Sequence, residues 1–448
     1  MTASGPAATA ARVLEIVAAA APDAEAEVTV TQGPDALTRF ANSFIHQNVA
    51  EDLSHVLVRV ALDGRTATSS LDGRPDEEAL GRLVDNVLAA ARVRPIDPDW
   101  PGLAPPRPAP PVDHWDDGTA AASPDARGAL VAEFVGAADG LETAGSCLTT
   151  AIHTAFANSA GQRLSGRTTV AALEGIARTP TSDGSGRGAS VAVSRLDGRA
   201  AGARAAAKAR AAEEPTDLEP GRYEVILEPS CVADILQFLF VYGFNGRAVE
   251  EGRSFVRIGE RQFDRAVTLR DDVTHPGQIG IPFDVEGTPK RPLDVVRDGI
   301  TQAVLHTRRT AAKAGTESTG HAVEGGETWG GLPSNTVLAA GDRSPEDLLA
   351  GVDRGLLVTD LWYTRILDPR TQVVTGLTRN GVWLVEDGRI VRPVRNLRFT
   401  QSYVEALAPG AVMGVGSDLT LIEGGFGAAY LVPTLHLASW NFTGGARG

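Results

Sequence analysis

The chain has 448 residues, of which 43% are hydrophobic and 22% charged, a balance that excludes global disorder and a continuous coiled coil. At about 150 residues per domain the length predicts two or three domains, with enough core to fold without disulfides or metals. The formal charge of −14, from 56 acids against 42 bases, disfavours nucleic acid and anionic membrane unless a local basic patch offsets it. Lysine occurs only at Lys208, Lys290 and Lys313; this arginine bias, with the alanine and glycine excess, matches a GC-rich coding genome. Two cysteines, Cys147 and Cys231, do not make a disulfide framework and fit a reducing cytosol. No run approaches the ~18 apolar residues of a membrane span and no leader pattern precedes Ala7–Ala21, so a cytoplasmic protein is expected.

The first half predicts an internal repeat. Ala11–Ala21 is an amphipathic helical stretch, followed by Phe40-Ala41-Asn42-Ser43, by the alternating strand Ser54–Ala61 and by a helix over Asp76–Val93. The same order returns with helical Arg127–Ala137, Phe156-Ala157-Asn158-Ser159, alternating Arg167–Ala172 and a helix over Arg199–Ala212. Two similar α+β units that cover each other's sheets are expected, over 1–94 and 113–215. A Pro-rich connector, 95–112, should run extended between them. Gly184, Gly186 and Gly188 read as a flexible loop, because no strand before or helix after gives them the form of a phosphate cradle.

From 216 to 448 short strand-like runs alternate with turn signals (YEVILEP, AVTLRDD, PLDVVRDG, GLLVTDLWYT, GVWLVEDGRIV) and predict a mostly antiparallel β domain. Asp298-Gly299 and Asp387-Gly388 are hairpin turns, since Gly accepts positive φ without strain. One helix interrupts the strands, over Cys231–Phe244, with Ser230 as its N-cap. The fold class is therefore α+β, an N-terminal pair of repeats followed by a β-rich domain.

The search for chemistry is largely negative. No HExxH or CxxC occurs, and the spacings His46/His55 and His306/His321 place no two histidines on one element. No Gly-x-Ser-x-Gly elbow is present. Cys231, at a helix start but flanked by Val232, Ile235 and Leu236, reads as a buried small hydrophobe, and Cys147 likewise. The helix Ile235-Leu236-Gln237-Phe238-Leu239-Phe240-Val241-Tyr242 is apolar nearly all round. It must be covered on every side, by its own domain or by another chain, and Phe238, Phe240, Tyr242 and Phe244 are candidate interface anchors.

Arg39-Phe40-Ala41-Asn42-Ser43-Phe44-Ile45-His46-Gln47-Asn48 resembles the N-terminal signature of the TldD/PmbA family. The likeness continues through Asp271-Asp272, Phe283-Asp284-Val285-Glu286-Gly287-Thr288-Pro289, Ser318-Thr319-Gly320, Gly355–Thr359 and Trp383–Val394. The resemblance implies a heteromeric zinc metallopeptidase acting on unfolded or extended peptides, including during peptide maturation. Its TldD-type subunit carries a HExxxH helix in which two histidines bind zinc and the glutamate activates water. Here Gln237 stands at the first histidine, Phe238 at the glutamate and Tyr242 at the second histidine, so the chain resembles the TldE/PmbA type. That implies no metal or catalytic residue in this chain, and a TldD-like partner that holds the zinc. Two other readings stay open: an independent hydrolase built on Cys231 or on histidines assembled in space, and a non-enzymatic binding or regulatory protein of the gyrase-modulator type.

Overall fold

The computed structural model describes residues 5–445. Its first layer is built from α1 (Pro6–Ala20), β1 (Glu25–Ala41), β2 (Phe44–Leu62), β3 (Arg65–Asp72) and α2 (Glu77–Val93). After α3 (Asp117–Ala120) come α4 (Pro124–Ala137), β4 (Glu142–Asn158), β5 (Arg163–Arg178), β6 (Asp183–Ser190) and α5 (Gly198–Ala211). The helix starts are set locally. Asp76, Ser123 and Asp197 each accept a backbone N–H of the first turn, satisfying donors that the helix itself leaves open.

The six strands form one antiparallel sheet in the order β3-β2-β1-β4-β5-β6. The expectation of two sheets covering each other is thus corrected: they join edge to edge through β1 and β4, from Glu27↔Asn158 to Phe40↔Gly145. Val28, Val30, Val56, Val58 and Val60 pack under α1 and α2, while Phe40, Cys147 and Leu173 pack under α4 and α5. With one face covered by helices, the other is free to receive the rest of the chain. Alternation in the strands requires this, because Phe156, Leu164 and Val170 point away from the helices and pack on Phe283, Ile281, Leu421 and Leu431.

The two Phe-Ala-Asn-Ser tetrapeptides both end the first strand of a hairpin. Asn42 and Ser43 take left-handed φ of 48° and 62° in a two-residue turn. Asn158 instead donates its amide to Ala104 O (2.8 Å) and accepts Gln162 N–H (2.9 Å), fastening the stretch before α3. Residues 95–116 contain neither helix nor strand. They are held by the Arg308 guanidinium, which donates to Gly102 O and Leu103 O.

Gly184, Gly186 and Gly188 do not form a loop. They lie in β6, and a Cβ on Gly186 would stand 2.0 Å from Ala201 O of α5. The missing side chains let a helix backbone press directly on the strand, which a strand-period pattern alone does not reveal.

The remaining strands are β7 (Gly221–Leu227), β8 (Leu269–Asp271), β9 (Leu293–Arg297), β10 (Ile300–Thr301), β11 (Asn335–Leu338), β12 (Arg354–Asp368) and β13 (Val373–Glu386). They continue with β14 (Arg389–Pro393), β15 (Leu397–Ser402), β16 (Val412–Val415), β17 (Thr420–Glu423), β18 (Ala429–Val432) and β19 (Leu435–Gly445). All pairings are antiparallel except β7–β12 and β11–β18. Both Asp-Gly turns form as expected, with left-handed φ at Asp298, Gly299, Asp387 and Gly388.

Strands β12, β7, β19, β15 and β13 pair successively, and β13 pairs back to β12, closing a barrel; closure removes free edges. A second sheet runs β10-β9-β8-β11-β18-β17. Between the two lies α6 (Pro229–Tyr242), whose Cys231, Val232, Ile235, Leu236, Leu239 and Phe240 belong to the largest apolar core. The helix starts two residues earlier than expected because Pro229 suits the first helical position. Ser230 therefore sits inside the first turn and is not the N-cap. Short helices at Gly246–Glu250, Arg308–Ala314, Pro345–Ala350 and Tyr403–Ala406 accompany it.

Candidate functional site: a cleft along one helix

Although α6 is mostly enclosed, one stripe is not apolar. Ser230, Ala233, Asp234 and Gln237, spaced i, i+3, i+4, i+7, line a cleft of about 690 Å³ between the helix and the open face of the N-terminal sheet. Strands β5 and β6 form one wall, with Glu174 and Arg187; β12, β13 and β17 supply Trp362, Arg379, Asn380 and Glu423. The expectation of a helix apolar all round missed this stripe. The spacing of Ser230, Asp234 and Gln237 was its only signal.

The polar groups here are fixed by partners on several elements. Asp234 accepts Thr364 Oγ1 and Tyr403 Oη, both at 2.8 Å. Burial raises its carboxyl to about 6 against the pull of those two hydroxyls. Burial would also raise Asp360, but Arg187 at 2.8 Å, with Ser230, Asn380 and Ser185, outweighs it and holds the carboxylate below its ordinary range. Asp360 thereby ties β6 to the barrel. Lys208–Glu228 (2.5 Å) and Trp383 Nε1 to Ala211 O (3.0 Å) do the same beside it.

The three positions of the degenerate motif have separate fates. Gln237 accepts Gly425 N–H at 3.2 Å. Phe238 is 7% exposed, stacked on Tyr242 (5.8 Å, 22°) and edge-on to Tyr403 (5.8 Å, 86°). Tyr242 is half-buried, against Phe238 and Trp329. Zinc needs imidazole, thiolate or carboxylate donors; an amide, a benzyl group and a phenol do not supply them, so the residues present do not fit the metal that the HExxxH pattern would hold. No group of three or more His, Cys, Asp or Glu is placed to hold an ion among the described residues. Phe240 and Phe244 are completely enclosed in this chain's own core, which makes them packing residues rather than interface anchors.

Other candidates are also dispersed. Cys231 is fully buried and burial drives its thiol far up; Cys147 is pushed up to about 11 by burial, against Arg127. Neither is poised as a thiolate nucleophile. His55 bridges Asp72 (2.7 Å) and Glu324 (2.9 Å), and His306 contacts Thr310. His321 lies between Thr319 (2.8 Å) and Asp271 (3.0 Å) in the interior, and His46 is exposed.

The acids of the FDVEGTP stretch fix backbone and sheet contacts. Asp284 accepts the N–H groups of Glu286, Thr288 and Ala322. Glu286 accepts Arg59 of β2, which also holds Glu27. A cavity of about 290 Å³ adjoins this triad, and burial pushes the Glu27 carboxyl up to about 8 despite Arg59.

A sheet covered on one face by helices, with a strand barrel and a second sheet enclosing α6 on its other side, defines a mixed α+β protein in which the three motif positions of α6 carry no metal donors. Residues 220–444 match the family model of the PmbA/TldA metallopeptidase C-terminal domain, and the chain belongs to the TldD/PmbA family. A metalloprotease of Methanothermobacter thermautotrophicus is 28% identical over 240 residues, 50% of this chain and 48% of that one. The metalloprotease PmbA of Escherichia coli O157:H7 is 29% identical over 164 residues, covering 36% and 33%. The chain thus spans about half the length, or less, of these curated relatives. TldE from Thermococcus kodakarensis has the same fold, with a TM-score of 0.85, 21% identity, and 94% and 97% of the two chains covered. A Thermotoga maritima protein described as a proposed modulator of a DNA gyrase also shares it, at TM-score 0.85, 19% identity and 97% and 100% coverage. No helix among the described residues is long and apolar enough to cross a membrane.

Proposed function

We propose that this chain is the TldE-like, non-catalytic subunit of a heteromeric zinc metallopeptidase. It completes a peptide-binding chamber for a TldD-like partner that carries the metal. The observation that carries the reading is the donor set of α6: Gln237 is occupied by Gly425, Phe238 is packed in the core, and Tyr242 faces an aromatic cluster. The cleft beside the helix is of a size that admits an extended peptide, whose backbone would pair with a strand and so tolerate varied sequences. Its place is the cytoplasm, and its task is peptide proteolysis or maturation.

Co-expression with a TldD-like protein tests this. The mixed complex is expected to elute as one species, to contain zinc only in the partner, and to cleave an unfolded peptide that neither chain cleaves alone. One tightly held zinc per copy of this chain, or peptidase activity of the isolated chain, would overturn the reading.

A further inference from the structure

We propose that Arg379, stacked on Trp362 at the mouth of the cleft, is a carboxylate-recognition subsite for an extended peptide. This rests on the reading of the cleft as part of a peptide chamber and adds which chemical group of the peptide is gripped. On β13, Arg379 is directly opposite Asp360 of β12, the position where opposite charges normally pair across a ladder. Asp360, however, is turned to Arg187 of β6 (2.8 Å), Ser185 (2.9 Å) and Asn380 (2.8 Å). The Arg379 guanidinium is left with no ion pair or hydrogen bond among the described residues. Its guanidinium carbon lies 4.4 Å from the centroid of the Trp362 ring.

The backbone is distorted immediately beside this arrangement. The β12–β13 register slips between Trp362 and Arg365, and Tyr363 takes a left-handed φ of 52°. A bulky residue persists in that region only where its surroundings enforce it. Trp362, in register with Leu377 just before the slip and two residues from Asp360 on the same face, is 52% exposed and lies under the guanidinium. An arginine held flat on an indole presents its N–H fork in a fixed orientation, suited to bidentate capture of a planar carboxylate. The cleft also carries Glu174, Asp234, Asp360 and Glu423; that negative surrounding favours a singly charged carboxylate over a dianionic phosphate. The carboxylate is either a peptide's C-terminus or an acidic side chain.

Fluorescence anisotropy with N-terminally labelled short peptides on the full-length chain, free and in its complex, tests the proposal. One arm replaces the C-terminal acid by an amide, the other an internal Glu by Gln. One of these is expected to weaken binding about tenfold, and that arm identifies the source. In Arg379→Gln the same change is expected to make no difference, while Arg379→Lys, which keeps charge but loses the fork, retains part of it. Arg365→Gln, whose guanidinium stacks on Tyr363 away from the cleft lining, should bind as the native chain does. Peptide binding whose dependence on the carboxylate is the same in native and Arg379→Gln protein would refute the subsite and leave the chamber standing. Absence of peptide binding in both the chain and its complex would refute both.

Discussion

Replacing Phe238 tests whether the former glutamate position of the motif is packed protein or an emptied active site. The ring is almost fully enclosed and meets Tyr242 and Tyr403, each at 5.8 Å. Phe238→Ala removes the transfer free energy of a benzyl group and leaves a cavity under α6, together about 3–5 kcal/mol. Roughly 0.5–1.5 kcal/mol of aromatic geometry per ring pair falls within that total. Phe238→Leu keeps most of the volume and should lose no more than about 2 kcal/mol. Phe238→Glu adds a carboxyl with no partner in the apolar setting, so it should be the least stable of the three, and more so at pH 8 than at pH 5. Urea unfolding followed by tryptophan fluorescence, with m-values compared to guard against a change in the denatured state, gives the order. Trp440 reports on the same core, lying 5.6 Å from Tyr403. If Phe238→Glu were as stable as Phe238→Leu at pH 8, the position would be wet and the packed-helix argument wrong.

Three further outcomes are expected. Gly186→Ala drives a Cβ to 2.0 Å from the Ala201 carbonyl of α5, whereas at Gly188 the nearest atom is 3.7 Å away; thermal melts should show a loss of about 1–3 kcal/mol for the first and near-neutrality for the second. Asp234 has a raised folded-state pKa of about 6, so the folded chain holds a proton that the unfolded chain releases, and stability falls as pH rises from about 4 to 6. Asp234→Asn should remove a pH dependence on the order of 3 kcal/mol across that window, and an unchanged pH–stability profile would contradict the assignment. With both thiols buried and driven up, neither cysteine should react with a thiol reagent until the protein is unfolded, and alkylation of the native chain should leave activity of the complex unchanged.

Local chemistry was legible in the sequence itself. The Asp-Gly turns, the helices of the first half and the buried character of Cys147 and Cys231 each follow from near neighbours: a residue that tolerates positive φ, a 3.6-residue period, an apolar flank. The family resemblance was legible for the same reason, as was the unsuitability of Gln237, Phe238 and Tyr242 as zinc donors, since donor chemistry belongs to the side chain and needs no fold to state. What only the tertiary structure decided depends on partners distant in the chain. An alternating strand does not say which edge it will pair with, so the joining of β1 to β4 into one sheet, and the open face this left, were not readable. Gly186 could be known as a strand residue only once α5 lay against it. Ser230, Asp234 and Gln237 became a cleft wall only when β5 and β6 were brought opposite. Arg379 was left free because Arg187, 192 positions earlier by residue number, reached its carboxylate first; long-range competition for one charge has no periodicity and leaves no local trace.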